Sequence, residues 1–267
     1  MKKVFQAITV AVILTLALTA CGASSTPAPT LAPQVINTPV KQPENAVPTV
    51  ASSELCTNLY WPIKDASRWA YSSTGSAFGP YEFGMKLRDL RADGFTVSAS
   101  FKKEANRQDW LCTNDGMVPY SMIGNNAINI LAIRTLENVS LTNIAGTYLP
   151  KNIVPGQVWT LEYLMTGEQE DQGVMYPASG HAKYQFTAGQ TETVTVPAGT
   201  YEAMPITIRN VILIVIAGAN GQEEIGVDST YTYWFAPNVG WVKASGSGTL
   251  GGQEFFETIE LIGFDPN

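Results

Sequence analysis

Residues 191–208 read TETVTVPAGTYEAMPITI. Thr and Val alternate up to Val196, Pro197-Ala198-Gly199 follows, and a second run leads to Ile208. Pro197 presets the first turn dihedral, and Gly199 can take the positive φ that a bulged hairpin loop needs, so the stretch reads strand, tight turn, strand. One hairpin of this kind suggests a β protein. The flanking sequence decides it.

Downstream, VILIVI (Val211 to Ile216) has no polar face and reads as a strand covered on both sides. TYTYWF (Thr230 to Phe235) and FFETIELIGF (Phe255 to Phe264) add further strands. Upstream, FTVSASFK sets Phe95, Val97, Ala99 and Phe101 against Thr96, Ser98, Ser100 and Lys102, a half-buried strand. VWTLEYLM places Trp159, Leu161, Tyr163 and Met165 on one face. Helix-period patterns are scarce. Asn125 to Leu136 is ambiguous, and its isoleucines favour a strand.

Two motifs recur in order. WLCTNDGMV (Trp110 to Val118) and WFAPNVGWV (Trp234 to Val242) share Trp, Asn, Gly and Val at identical spacing. YWPIKDASRWAY, from Tyr60, and YLPKNIVPGQVW, from Tyr148, share Tyr-x-Pro with a later tryptophan, Trp69 or Trp159. Two ordered matches point to a duplicated β unit, repeat one over about 56–140 and repeat two over about 146–264. The expected fold is all-β: a strongly curved antiparallel sheet, half-barrel-like, with few helices.

The N-terminal part has another character. Lys2 and Lys3 precede a short apolar run ending near Ala20, the layout of a secretory signal peptide over residues 1–20. Leu18-Thr19-Ala20-Cys21 resembles the lipobox of bacterial lipoproteins. That resemblance implies a diacylglycerol on the Cys21 thiol, cleavage before it and acylation of the new terminus. Several acyl chains, at about 0.8 kcal/mol per buried methylene, make a stable anchor. Residues 21–53 carry Pro27, Pro29, Pro33, Pro39, Pro43 and Pro48 among small and polar residues, which predicts a disordered tether. As a coil it would span on the order of 30 Å. About 210 residues remain for the β domain, 54–267.

There are three cysteines. With Cys21 lipidated, Cys56 and Cys112 remain, and export makes a disulfide between them the default. A metal site or redox pair fits less well, because the spacing is long and the chain has 1 histidine. A net charge of −7 with no long basic run argues against nucleic acid and anionic headgroups as partners.

The order Tyr60-x-Pro62…Trp69, Val194 to Tyr201 (VTVPAGTY) and Ala236 to Lys243 (APNVGWVK) resembles uncharacterised bacterial surface lipoproteins. Their β domains are similar to the half-barrel of lipoprotein-localisation carriers. The resemblance implies one sheet curved around an apolar concavity that binds acyl chains or other apolar ligands. This sequence lacks the obvious covering helix of those carriers.

Catalytic constellations are sparse. His181, in PASGHAKY, sits at an expected loop-to-strand junction two residues after Ser179. A serine nucleophile needs a base and an orienting group, and no G-x-S-x-G elbow occurs. Ser100-x-x-Lys103 lies in an alternating strand, where residues three apart face opposite ways. Gly246-x-Gly248-x-x-Gly251 matches a dinucleotide fingerprint nominally, but a β pattern follows it, so a flexible hairpin loop is expected. Glu168, Glu170 and Asp171 cluster without the alternating ligands of a calcium loop; a solvated loop is the plainer reading, a weak calcium site the other. Carboxylate pairs for glycoside hydrolysis need only spatial proximity, and nothing in the sequence favours them. No cofactor is implied.

The tryptophans divide. Trp69, Trp110, Trp159 and Trp234 sit in the repeated frame and suit core packing. Trp61 and Trp241 have non-aromatic counterparts, Leu149 and Met117, in the other copy, so they are the candidates for contact with an apolar ligand or partner protein. The expectation is a membrane-anchored, extracytoplasmic, non-enzymatic binding protein. The alternatives are a structural or assembly lipoprotein and a carbohydrate-active hydrolase.

Overall fold

The computed structural model describes residues 54–75, 79–101, 104–124, 126–133, 136–219 and 221–267. The leader, the lipobox with Cys21, the tether and Lys103 lie outside the described residues.

The chain is all-β, with one curved antiparallel sheet of 14 strands that does not close into a barrel. A first meander runs through β1 (Arg68–Gly75), β2 (Tyr81–Arg91), β3 (Gly94–Phe101), β4 (Glu104–Cys112) and β5 (Gly116–Pro119). Helix α1 (Ala127–Ile133), β6 (Glu137–Gly146) and β7 (Leu149–Pro150) follow. The remainder is β8 (Val158–Asp171), β9 (Val174–Ala188), β10 (Glu192–Val196), β11 (Gly199–Gly218), β12 (Gly221–Ala236), β13 (Gly240–Leu250) and β14 (Gln253–Asp265). Spatially the order is β6-β8-β9-β11-β12-β13-β14-β1-β2-β3-β4-β5-β7, with β10 paired to β11 beside this path.

β6 and β7 sit at opposite ends of the sheet, although only Thr147 and Tyr148 separate them in sequence. Thr147 N donates to the Thr160 carbonyl of β8, while Tyr148 N donates to the Met117 carbonyl of β5. One extended segment thus links both sheet ends at a single level. Register shifts at two places in β6, with positive φ at Asn138 and Asn143, blunt that strand as a template for further pairing.

Alternation explains the core. Phe95, Val97, Ala99 and Phe101 of β3 are buried, as are Leu161, Tyr163 and Met165 of β8. The 191–208 stretch folds as expected, Val196 pairing with Gly199 across a Pro197-Ala198 turn, with Gly199 at φ 144°. Cys56 and Cys112 are disulfide-bonded, with Cα atoms 5.1 Å apart. Trp110 pairs with Pro119 on β4–β5 and Trp234 with Lys243 on β12–β13, both nine residues on, with a register shift after Trp234 that β4–β5 does not have.

Five expectations change. Residues 127–133 form a helix, not a strand. Asn126 caps it, its Oδ1 accepting from Asn129 N, and that local bond outweighs the β preference of the isoleucines. VILIVI is covered on one side only: Ile212, Ile214 and Ile216 are buried, whereas Val211 and Leu213 are more than 40% exposed on the outer face. His181 lies within β9 rather than at a loop junction, on the outer face between Leu164 and Leu213 in register. Gly246 and Gly248 belong to β13 rather than a flexible loop; the turn is at Gly251-Gly252. Glu168, Glu170 and Asp171 sit at the end of β8 rather than in a loop, and Asn138 donates to Glu168.

Candidate functional site

The inner face of the sheet is mostly aromatic and aliphatic, and α1 lies against it, touching β12 and β13. The helix sequence AINILAI carries no charge, and Ala127, Ile128 and Ala132 are buried. Seven residues are too few for an isolated helix to persist in water, so α1 depends on this packing. A helix does lie on the inner face, although the sequence offers no obvious covering helix. The covering element is a short helix that sequence periodicity could not reveal.

Beneath the start of α1 the inner face turns polar. On β11 the inward series Ile206, Ile208, Ile212 and Ile214 is interrupted by Asn210, and on β14 the series Phe255, Ile259 and Leu261 is interrupted by Glu257. These residues come together through cross-strand register. Asn210 pairs with Ser229, and Ser229 with Gly248; Tyr231 pairs with Gly246, and Gly246 with Glu257. A Cβ on Gly246 would lie 2.6 Å from the Tyr231 ring, and one on Gly248 2.3 Å from the Ser229 Cβ. The two glycines of the nominal nucleotide motif make room for these polar rows.

Glu257 is the hub and is 4% exposed. Its Oε1 accepts from Ser73 Oγ at 2.6 Å and from the Tyr81 hydroxyl; its Oε2 accepts from Ala127 N at 2.9 Å. A carboxylate at a helix N-terminus satisfies an otherwise orphan donor there. Asn126 Nδ2 donates to the Tyr233 hydroxyl at 3.2 Å, a second tie between the helix start and the sheet. Burial, reinforced by the Glu257 charge, raises the Tyr81 and Tyr231 phenols well above their usual range, so both stay protonated at neutral pH.

The satisfaction is incomplete. Asn129 Oδ1, Asn210 Nδ2 and the Tyr231 hydroxyl have no hydrogen-bond partner. All three residues line a cavity of about 10 Å³, room for about one water molecule, together with Ile208, Tyr184 and Tyr233.

Trp61 and Trp241, the tryptophans expected at a contact surface, are instead buried at 2% and 1% exposure. Trp241 stacks on Tyr71 at 3.8 Å, and the Tyr71 hydroxyl donates to its carbonyl. Trp61 packs on Trp110 and Phe95. Of the frame tryptophans, Trp69 and Trp110 are core, whereas Trp159 and Trp234 are only half-buried. The structure does not bring the predicted pair to a surface. The polar cluster that it does assemble had one signal in the sequence: polar residues at inward-facing strand positions.

Ser179 and His181 share the outer face of β9, and His181 Nε2 lies 3.9 Å from Glu162, with both of those side chains solvent-accessible. Among the described residues, no group of three or more metal-ligating side chains converges. Glu257 is the one carboxylate among the buried residues described, so a facing pair does not arise in the core.

No known sequence family matches the chain, and no curated protein does. Three solved structures are similar to it. A protein from Bacteroides fragilis, provisionally described as exported and with a YmcC-like fold, is 15% identical with a TM-score of 0.45, covering 78% of this chain and 100% of its own. A provisional lipoprotein from Parabacteroides distasonis is 14% identical with a TM-score of 0.46, covering 79% and 99%. The hypothetical lipoprotein YmcC from Escherichia coli is 8% identical with a TM-score of 0.30, covering 76% and 86%. At those values the likeness carries no weight for function.

Proposed function

We propose that this protein is an extracytoplasmic lipoprotein, anchored through acylated Cys21, that binds an apolar ligand non-enzymatically on the inner face of its sheet. The observation that carries the reading is α1 itself. An uncharged seven-residue helix occupies the concavity in the way a ligand would, tied at its start by Glu257 and Tyr233. Displacing it would uncover the inner face on which it packs, apolar side chains with a polar cluster at one end. The Cys56–Cys112 bond supports an oxidising compartment, and the matched Trp110 and Trp234 hairpins support duplication of an ancestral β unit.

Native mass spectrometry of the full chain, with solvent extraction, tests the ligand. One apolar molecule per chain is expected, with faster hydrogen exchange across 127–133 when it is bound. Ligand-free protein whose α1 amides do not respond to saturating apolar probe would overturn the reading. Cys21→Ala tests the anchor. Release from membranes into the soluble exported fraction is expected, and retention would refute lipid attachment.

A second reading has one observation in its favour. The interior is filled by the protein's own side chains, as in a structural or assembly lipoprotein that holds no small ligand.

A further inference from the structure

Helix α1 is a good shape match for the inner face and a poor polar match. Asn210 Nδ2 and the Tyr231 hydroxyl point into the space beneath it without partners, and the helix's own Asn129 Oδ1 is equally unpaired. Asn210 Oδ1 accepts from Ser229 Oγ, which leaves Nδ2 without a partner in the protein. The cavity has room for about one water, whose place a ligand oxygen can take. Asn210 and Tyr231 stand on the sheet and remain when the helix leaves.

We infer that Asn210 and Tyr231 form the polar end of the apolar site and receive an uncharged headgroup bearing hydroxyl or carbonyl oxygens. This rests on the apolar-ligand reading above. A hydroxyl accepts from Asn210 Nδ2 and donates to, or accepts from, Tyr231; a carbonyl accepts from both. Either completes bonds that the helix leaves unmade. A ligand opens the helix only by as much as it binds the open state better than the closed one. Glu257 sets the charge preference. It neighbours Tyr231 across Gly246, a position with no side chain between them, so an anionic headgroup at Tyr231 would face a buried carboxylate. Neutral acylglycerols fit the site, and fatty-acid anions do not.

The test compares a monoacylglycerol, the fatty acid of the same chain length and a plain hydrocarbon dye as ligands for the full chain, by fluorescence competition at neutral pH. The monoacylglycerol should bind about tenfold more tightly than the fatty acid. Tyr231→Phe removes only a hydroxyl that has no partner in the closed protein. It should cost about tenfold in monoacylglycerol affinity and leave fatty-acid and dye affinity within about twofold. Equal affinity for the two lipids, or an equal loss of both in Tyr231→Phe, would overturn the headgroup assignment, the dye showing that the apolar site still stands. Failure of all three to bind would overturn the apolar-ligand reading as well.

Discussion

Two regions of the same inner face, built on the same strand alternation, are packed in opposite ways. Around Trp241, Tyr71, Trp61 and Trp110 the face is closed by ring-on-ring contacts: 3.8 Å for Tyr71–Trp241 and 5.4 Å for Trp61–Trp110. Beneath α1 it holds a carboxylate, asparagines, a serine and tyrosine hydroxyls, with a small cavity among them. Both regions contain unpaired donors, since the indole N–H groups of Trp61, Trp110 and Trp241 also lack partners. At the aromatic end large ring areas offset that cost. Under α1 the groups are small, polar and buried, with Ile123 and Tyr148 lining the cavity beside the helix. The first region is held by ring packing, the second by hydrogen bonds to the start of a short helix.

The sharpest way to break that contrast is to hollow the aromatic end. Trp241→Ala should cost about 4 kcal/mol, measured by denaturant unfolding. A loss below about 1 kcal/mol would mean that the Trp241 stack is not structural. Removing the brace, by Cys56→Ser with Cys112→Ser, should cost about 3 kcal/mol, with the chain still folded at low temperature.

Alkali probes the tyrosines on both sides. Burial raises the Tyr163 phenol to about 12, with the Tyr184 hydroxyl bond opposing the rise. Burial likewise raises Tyr71, Tyr184 and Tyr233. A folded pKa above the unfolded value near 10 means that the native state holds its proton longer. Stability from Tyr163 is therefore complete below pH 10 and falls between about pH 10 and pH 12, by roughly 2–3 kcal/mol. Unfolding and ionisation of the buried tyrosines should rise together in that window. Ionisation of the buried tyrosines while near-ultraviolet dichroism stays native would contradict it.

Glu257→Gln aims at the region beneath α1. It keeps the shape but weakens the charge-assisted bonds from Ser73, Tyr81 and Ala127, so a loss of about 1–2 kcal/mol is expected. Hydrogen exchange should quicken at 127–133 before it does so in the strands. Smallest is Tyr231→Phe, with stability within about 0.5 kcal/mol of the parent, because the hydroxyl it removes makes no bond. A clear loss would reveal a structural partner for that hydroxyl.

Much of the fold was legible, for local reasons. Alternation in FTVSASF and VWTLEYLM placed the inward residues, and Pro197-Ala198-Gly199 placed a turn. The errors have physical causes. VILIVI reads as doubly covered because exposed Val211 and Leu213 cost too little to leave a mark in the sequence. Residues 127–133 lack a helical period that would identify them, since the capping bond from Asn126 and the acceptor on Glu257 decide their state. Trp61 and Trp241 were singled out because the repeated frame did not require them. Their burial comes from contacts distant in sequence, Trp241 on Tyr71 and Trp61 on Trp110, which the frame does not encode.

By itself the sequence determined which residues alternate, where the chain turns and which cysteines were available to pair, because each of these is set by neighbours a few positions away. Only the tertiary structure decided that Glu257 meets the start of a helix 130 residues earlier, and that Asn210, Ser229 and Tyr231 stand in adjoining rows. A β ladder joins strands across any distance in sequence, and its register appears only when the partner strand is in place.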